Sequence, residues 1–167
     1  NLGGGVVTDL GGFVASTFKR GVDFINIPTT LLSMVDASVG GKTGVDLGSL
    51  KNQIGVINEP KSVIVISKFL ETLPTNQMRS GFAEMLKHGL IFNREYWNKL
   101  KNVSSLNTND LNSLIHESVE IKNKIKEQTK NKHKNHPSLW SKIPISFANN
   151  PHIHTIPNHF ETGKPKH

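Results

Sequence analysis

Residues 36–52, Asp-Ala-Ser-Val-Gly-Gly-Lys-Thr-Gly-Val-Asp-Leu-Gly-Ser-Leu-Lys-Asn, set two lysines and an asparagine in a glycine-rich loop. Lys42 and Lys51 can neutralise a carboxylate or a phosphate, and Asn52 can hydrogen-bond a hydroxyl; core packing gives no reason to put them there. Taken singly, a lysine is more often a solvated surface charge. Gly3-Gly4-Gly5, ahead of Val6, Val7, Thr8 and Asp9, lets backbone N–H groups approach a pyrophosphate, and the N-terminus of a following helix favours its charge. The same triplet also reads as a plain strand-to-helix turn, since its spacing is not G-x-G-x-x-G. Glu84 and Lys87 stand three apart, so a helix over 75–90 puts them on one face and Met78, Phe82 and Met85 on the other. That spacing also describes an exposed ion pair.

Alternating short strands and helices are predicted to position these groups. Residues 11–20 read as a helix with Phe13, Val14 and Phe18 on one side. Residues 23–27 alternate and then meet Pro28, the pattern of a short strand, and Thr29 is an N-cap for a helix through Leu31, Leu32 and Val35. Val63-Ile64-Val65-Ile66 reads as a buried strand of a parallel sheet. From Thr75 onward the pattern is helical only, first through Met78, Phe82, Met85 and Gly89. It resumes after a Thr108 or Asn109 cap through Leu111, Leu114, Ser118, Ile121 and Ile125. The fold class is therefore α/β, with a change to an all-helical part near residues 70–75.

In this order, the segments 3–9, 36–52 and 81–89 (Gly-Phe-Ala-Glu-Met-Leu-Lys-His-Gly) resemble 3-dehydroquinate synthase, of the sugar phosphate cyclase superfamily, over about residues 1–130. The resemblance implies the C-terminal part of a Rossmann-like NAD-binding domain over 1–72 and the start of an α-helical metal-binding domain over 73–130. It implies that Gly4, Gly5, Val6, Val7, Thr8 and Asp9 meet NAD, with Thr29, Thr30, Lys51, Phe69, Leu70, Glu71 and Thr72 completing the cofactor site. Arg20, Asp36, Lys42, Asn52 and Lys87 would meet substrate and Glu84 would bind zinc or cobalt, while Lys122 aligns with a further substrate lysine but reads first as a solvated surface charge. Read without the resemblance, Thr29 and Thr30 are helix caps and Asp9 a cap or pairing group.

The implied reaction converts 3-deoxy-D-arabino-heptulosonate 7-phosphate to 3-dehydroquinate and phosphate in the shikimate pathway, by a cytoplasmic homodimer. Another sugar phosphate cyclase, such as 2-deoxy-scyllo-inosose synthase, is the nearest alternative, and an inactive truncated remnant is the non-enzymatic one. The family carries two more metal-ligating histidines, the first in a Gly-His-Thr-x-Gly-His-Ala segment expected near residue 140. This chain reads Trp140-Ser141-Lys142-Ile143-Pro144 there, so as written it is expected to be inactive. It also begins at Asn1 on a glycine turn, as a fragment would. His152, His154 and His159 lie among prolines and asparagines with no element to fix a ligand geometry.

Composition narrows the partners. Of the net charge of +7, residues 131–167 hold five lysines and one glutamate, +4, leaving +3 for the rest; this distribution argues against a nucleic-acid surface. There is no cysteine, hence no disulfide framework and no thiolate metal site. No apolar run approaches the ~20 residues of a membrane span, and the first residues do not have signal-peptide order. Five of eight prolines and six of eight histidines fall in residues 131–167, where little regular structure is expected.

Overall fold

The computed structural model describes residues 1–101, 108–132, 145–147 and 154–155, with side chains within 1–101 and 110–128. Strand β1 (Leu2–Gly3) leads into helix α1 (Gly5–Thr17), which returns the chain to β2 (Ile25–Pro28). An antiparallel hairpin, β3 (Lys42–Leu47) and β4 (Leu50–Ile57), comes before β5 (Ser62–Val65). Helices α2 (Thr75–Phe92), α3 (Arg94–Lys101) and α4 (Thr108–Lys132) follow, then short strands β6 (Ile145–Phe147) and β7 (His154–Thr155). The sheet order is β1-β2-β5-β6-β7, parallel except for β7, so the α/β expectation holds.

Three local expectations are corrected. Helix α1 starts at Gly5 and not at Gly11. The β-branched Val6, Val7 and Thr8 cost only a few tenths of a kcal/mol each in a helix, which burial of Thr8, Gly12 and Ala15 outweighs. In β2 the alternation is inverted. Asn26 is buried and bonded to Asn1 Nδ2 at 2.9 Å, while Ile25 faces outward. The cap is Thr30 and not Thr29: the Ser33 N–H lies 3.3 Å from Thr30 Oγ1, the third residue of the helix bonding to its cap. In the tail, where little regular structure is expected, the short strands β6 and β7 pair at the open parallel edge, which accepts an Ile-Ser-Phe run without any long apolar period. The rest of the tail, including 140–144 and the side chains of His152, His154 and His159, lies outside the described residues.

The glycine-rich stretch is likewise only partly a loop. Residues 33–37 form a π-helical turn, marked by the Ser38 N–H bonding to the Ser33 carbonyl at 3.0 Å. From Lys42 the chain is a hairpin that turns at Gly48, whose φ of +60° suits glycine. Gly44 faces Gly55, and a Cβ on Gly55 would stand 2.5 Å from the Thr43 carbonyl, so these glycines serve close strand approach.

One hydrophobic cluster runs from Leu31, Met34 and Val35 through Val63 and Val65 to Met85, Tyr96, Leu111, Ile115 and Ile121. It crosses residues 70–75 without a break. Among the described residues no helix is long and apolar enough to cross a membrane.

Candidate functional site

The glycine turn places one end of the site. Gly4 is the extended N-cap of α1, and a Cβ there would come within 3.2 Å of Thr30 Cγ2. The Thr29 N–H bonds to the Gly3 carbonyl at 2.9 Å. Gly4, Gly5, Thr29 and Thr30 are thus neighbours at the N-terminus of a 13-residue helix, whose first N–H groups attract an anion. Thr8 is buried, with its hydroxyl bonded to the Gly5 carbonyl at 2.9 Å and its N–H to the Gly4 carbonyl at 3.1 Å, so the free N–H groups are those ahead of it. In the 3-10 turn Ser67–Thr72, Leu70 is buried in the core, while Phe69, Glu71 and Thr72 are at least partly exposed.

A cleft of about 360 Å³ lies between α1 and the hairpin, lined by Asp9, Lys42, Thr43, Asn52 and Gln53 among others. Gly12 lets α1 lie close against the hairpin beside it: a Cβ there would stand 2.4 Å from Thr43 Cγ2. Asn52 has a φ of +53° and its N–H bonds to Asp46 Oδ1 at 2.8 Å, at the irregular step of the hairpin between Val45 and Leu47. Burial, and secondarily the charge of Asp36, raises Asp9 to a pKa of about 6. Lys51 lies exposed on β4 outside this cleft. Arg20 is not brought to it either. A helix of that length spans ~20 Å, so Arg20 ends up beyond its far end, in a second cleft of about 430 Å³ with Ser16, Asp23, Asn58 and Glu59.

A polar cluster gathers where the π turn, α2 and α4 meet. Asp36 pairs with Lys122 of α4. Glu84 Oε1 lies 2.5 Å from Lys87 Nζ and 3.3 Å from His88 Nε2. Neither contact has hydrogen-bond geometry, and Glu84 Oε1 and His88 Nε2 remain buried without a hydrogen bond. On the other side of the ring, His88 Nδ1 is 2.8 Å from Ser118 Oγ. Burial lowers the His88 pKa, against the opposing pull of Glu84, so the ring is neutral at pH 7. Ligand-type atoms of Asp36, Glu84 and His88 all lie within 4.8 Å of one another. Tetrahedral ligands with bonds of ~2 Å sit ~3.3 Å apart. Two buried atoms without a hydrogen bond, one carboxylate oxygen and one imidazole nitrogen, are the donors a zinc- or cobalt-type cation takes, so these residues fit a divalent metal.

Asp36, Glu84 and Lys87, expected from different stretches of sequence, are therefore brought together, joined by Lys122, which read first as a surface charge, while Lys42 and Asn52 share the neighbouring cleft with Asp9. His88 and Ser118 were missed as site residues. His88 stands four residues after Glu84, one helical turn on, and Ser118 is the single polar member of the α4 apolar series.

A parallel sheet with a helix opening on glycines, next to a helix that carries a carboxylate and an imidazole, is an α/β arrangement of the general kind that nucleotide-binding proteins use. Residues 1–80 match the model of the 3-dehydroquinate synthase N-terminal region, and the chain belongs to the 3-dehydroquinate synthase family. It is 48% identical over 130 residues to the 3-dehydroquinate synthase of Parabacteroides distasonis, covering 77% of this chain and 37% of that protein. With the Prochlorococcus marinus enzyme it shares 49% identity over 133 residues, or 76% and 36% of the two chains. The chain thus spans a little over a third of the length of these relatives. Among solved structures, 2-epi-5-epi-valiolone synthase from Streptomyces hygroscopicus with NAD+ and Zn2+ bound aligns with a TM-score of 0.70 at 30% identity, covering 81% of this chain and 38% of that one. A 2-deoxy-scyllo-inosose synthase complexed with carbaglucose-6-phosphate, NAD+ and Co2+ aligns with a TM-score of 0.63 at 26% identity, covering 72% and 35%.

Proposed function

We propose that this chain carries the NAD-binding portion and the first metal-ligating helix of a 3-dehydroquinate synthase. That enzyme turns 3-deoxy-D-arabino-heptulosonate 7-phosphate into 3-dehydroquinate and phosphate, as a cytoplasmic homodimer when intact. The reading rests on the convergence of Asp36, Glu84, Lys87 and Lys122 beside the Lys42–Asn52 cleft. The division into a part over 1–72 and a part over 73–130 belongs to the same proposal.

When bound, NAD supplies reversible hydride transfer and the metal supplies polarisation of a reacting oxygen. The N-terminus of α1, with Gly4 to Asp9, receives the pyrophosphate, and Thr29, Thr30, Lys51 and residues 69–72 border the cofactor. Lys42 and Asn52 hold an anionic group and a hydroxyl of the substrate. Lys87, half-exposed at the rim, and Lys122 present cations to its carboxylate and phosphate. Arg20 acts on substrate only if it is carried there by an arrangement beyond this chain's own clefts. With Trp140–Pro144 in place of the histidine segment, the chain as written lacks turnover.

The test is phosphate release and product identification with the intact protein that carries this region, supplied with NAD and cobalt. Formation of 3-dehydroquinate from the seven-carbon acid phosphate is the expected result. Turnover of a hexose 6-phosphate instead would assign another cyclase of the superfamily. Phosphate release by the 167-residue chain alone would overturn the inactivity.

A further inference from the structure

We propose that Asp46 is a positioning residue for the substrate: its carboxylate holds Asn52 in the backbone conformation that turns the Asn52 amide into the cleft. This rests on the reading of Lys42 and Asn52 as substrate residues.

The two strands of the hairpin differ in length at one place. Val45 pairs with Ile54 and Leu47 with Leu50, so Asp46 alone on β3 faces Lys51, Asn52 and Gln53 on β4. The excess of β4 is taken up as a bulge, the device by which a sheet re-aims a side chain. Inside it, side chains replace the backbone ladder. The Asn52 N–H is donated to Asp46 Oδ1 at 2.8 Å, and the Lys51 carbonyl accepts from Gln53 Nε2 at 3.1 Å. Asn52 has a φ of +53°, a left-handed conformation that asparagine enters more readily than most residues, but still at a cost. The bond from its N–H to a carboxylate offsets that cost.

The bulge decides which side chains reach the cleft. Consecutive residues of a regular strand point to opposite faces, yet Asn52 and Gln53 both line the cleft, while Lys51 stays outside it. Gly44 and Gly55, paired across the hairpin between Lys42 and the bulge, line it too and leave only backbone at that point. A substrate lying over these glycines meets Lys42 at one end and Asn52 at the other. Asp46 does not line the cleft, so its contribution goes through Asn52.

The experiment uses the intact protein that carries this region, in four variants: Asp46→Ala, Asp46→Asn, Asn52→Ala and the double variant Asp46→Ala/Asn52→Ala. Steady-state kinetics with the seven-carbon acid phosphate are measured beside NAD titration, with circular dichroism as the check of folding. Asp46→Ala should raise KM ~10-fold, the worth of one hydrogen bond to a carboxylate, with kcat changed less and NAD affinity kept. Asp46→Asn retains an acceptor oxygen and should recover most of that loss. In the Asn52→Ala background Asp46→Ala should raise KM no further, because the residue that it positions is gone. A merely structural Asp46 would add its loss in that background or lower NAD affinity as well, and either result overturns the proposal. If Asn52→Ala raises KM and a folded Asp46→Ala does not, this inference fails alone. If the parent does not turn over the seven-carbon acid phosphate, or Asn52→Ala leaves KM unchanged, the reading of the cleft fails with it. Should Asp46→Ala not fold, amide hydrogen exchange of the parent decides: a protected Asn52 N–H is expected, and one exchanging as in an unstructured peptide overturns the proposal.

Discussion

Asp9 stands one turn into α1 and faces the same cleft as Lys42 and Asn52. Its folded-state pKa of about 6, against an ordinary 3.8, means that the folded chain binds a proton more readily than the unfolded one across that window. Stability therefore falls as pH rises from about 4 through 6. Asp9→Asn removes the charge that burial disfavours and should stabilise the chain at pH 7.5 by ~1 kcal/mol, the full shift being discounted for a partly exposed group. Urea denaturation at pH 4, 5.5 and 7.5 checks this: the gain should vanish at the acid end, and a gain independent of pH would refute the assignment. The two hairpin lysines divide differently. Lys42 lines the cleft and Lys51 lies outside it, so in the intact enzyme Lys42→Met should weaken productive substrate binding and leave NAD affinity nearly unchanged, while Lys51→Met weakens NAD. One charge-assisted hydrogen bond is worth ~1.5–3 kcal/mol, about ten- to a hundredfold in affinity. Equal losses of NAD affinity, titrated without substrate, would show that the lysines do not divide this way.

The elements hold these residues through a few close backbone approaches. Gly81 lets α2 lie on the segment that carries Asp36; a Cβ there would stand 2.6 Å from Leu31 Cβ and from the Leu32 backbone nitrogen. Gly81→Ala gains up to ~1 kcal/mol of helix propensity, yet the backbone contact cannot yield cheaply, and overpacking of ~1–3 kcal/mol wins. The expected outcome is a lower melting temperature and, because α2 is displaced from the Asp36 turn, weaker Co2+ binding. A variant as stable as the parent would mean that the helices part without cost. The π turn itself widens the helix by one residue at Asp36, a distortion often found at functional sites. Helix α3 is entered through Asn93, whose Oδ1 accepts from the Glu95 and Tyr96 N–H groups at 2.9 and 3.1 Å, and this orients Tyr96 toward Leu114 and Ser118.

Across the molecule, α4 is tied to the sheet side by Lys126. Its Nζ reaches Glu59 at 3.0 Å and the Val39 carbonyl at 3.2 Å, and both side chains of the pair are 13% exposed. Removing one partner of a buried pair strands the other charge, which costs ~3–5 kcal/mol where burial is complete and somewhat less here. Lys126→Met should therefore lower stability by ~2–3 kcal/mol, and adding Glu59→Gln should restore part of it, measured by chemical denaturation as a double-mutant cycle. Additive losses would show the two groups uncoupled. Because α4 also carries Lys122 and Ser118, loosening it should weaken the metal site as well.

The sequence by itself determined the α/β class, the β5 strand, the bounds of α2 and the apolar seam of α4, because hydrophobic period and glycine and proline punctuation are local properties of the chain. It also marked Asp36, Lys42, Asn52, Glu84 and Lys87 by residue type and by family likeness, while Lys122 read first as a surface charge. Only the tertiary structure decided that 36–52 is a π turn and a hairpin rather than an open loop, since Gly44 and Gly55 have meaning only once the strands face each other. It alone joined Asp36 to Lys122, across 86 residues, and His88 to Ser118, across 30. Neither separation has a periodic signature. A histidine's tautomer depends on its partner across space, and no pattern along the chain records that partner.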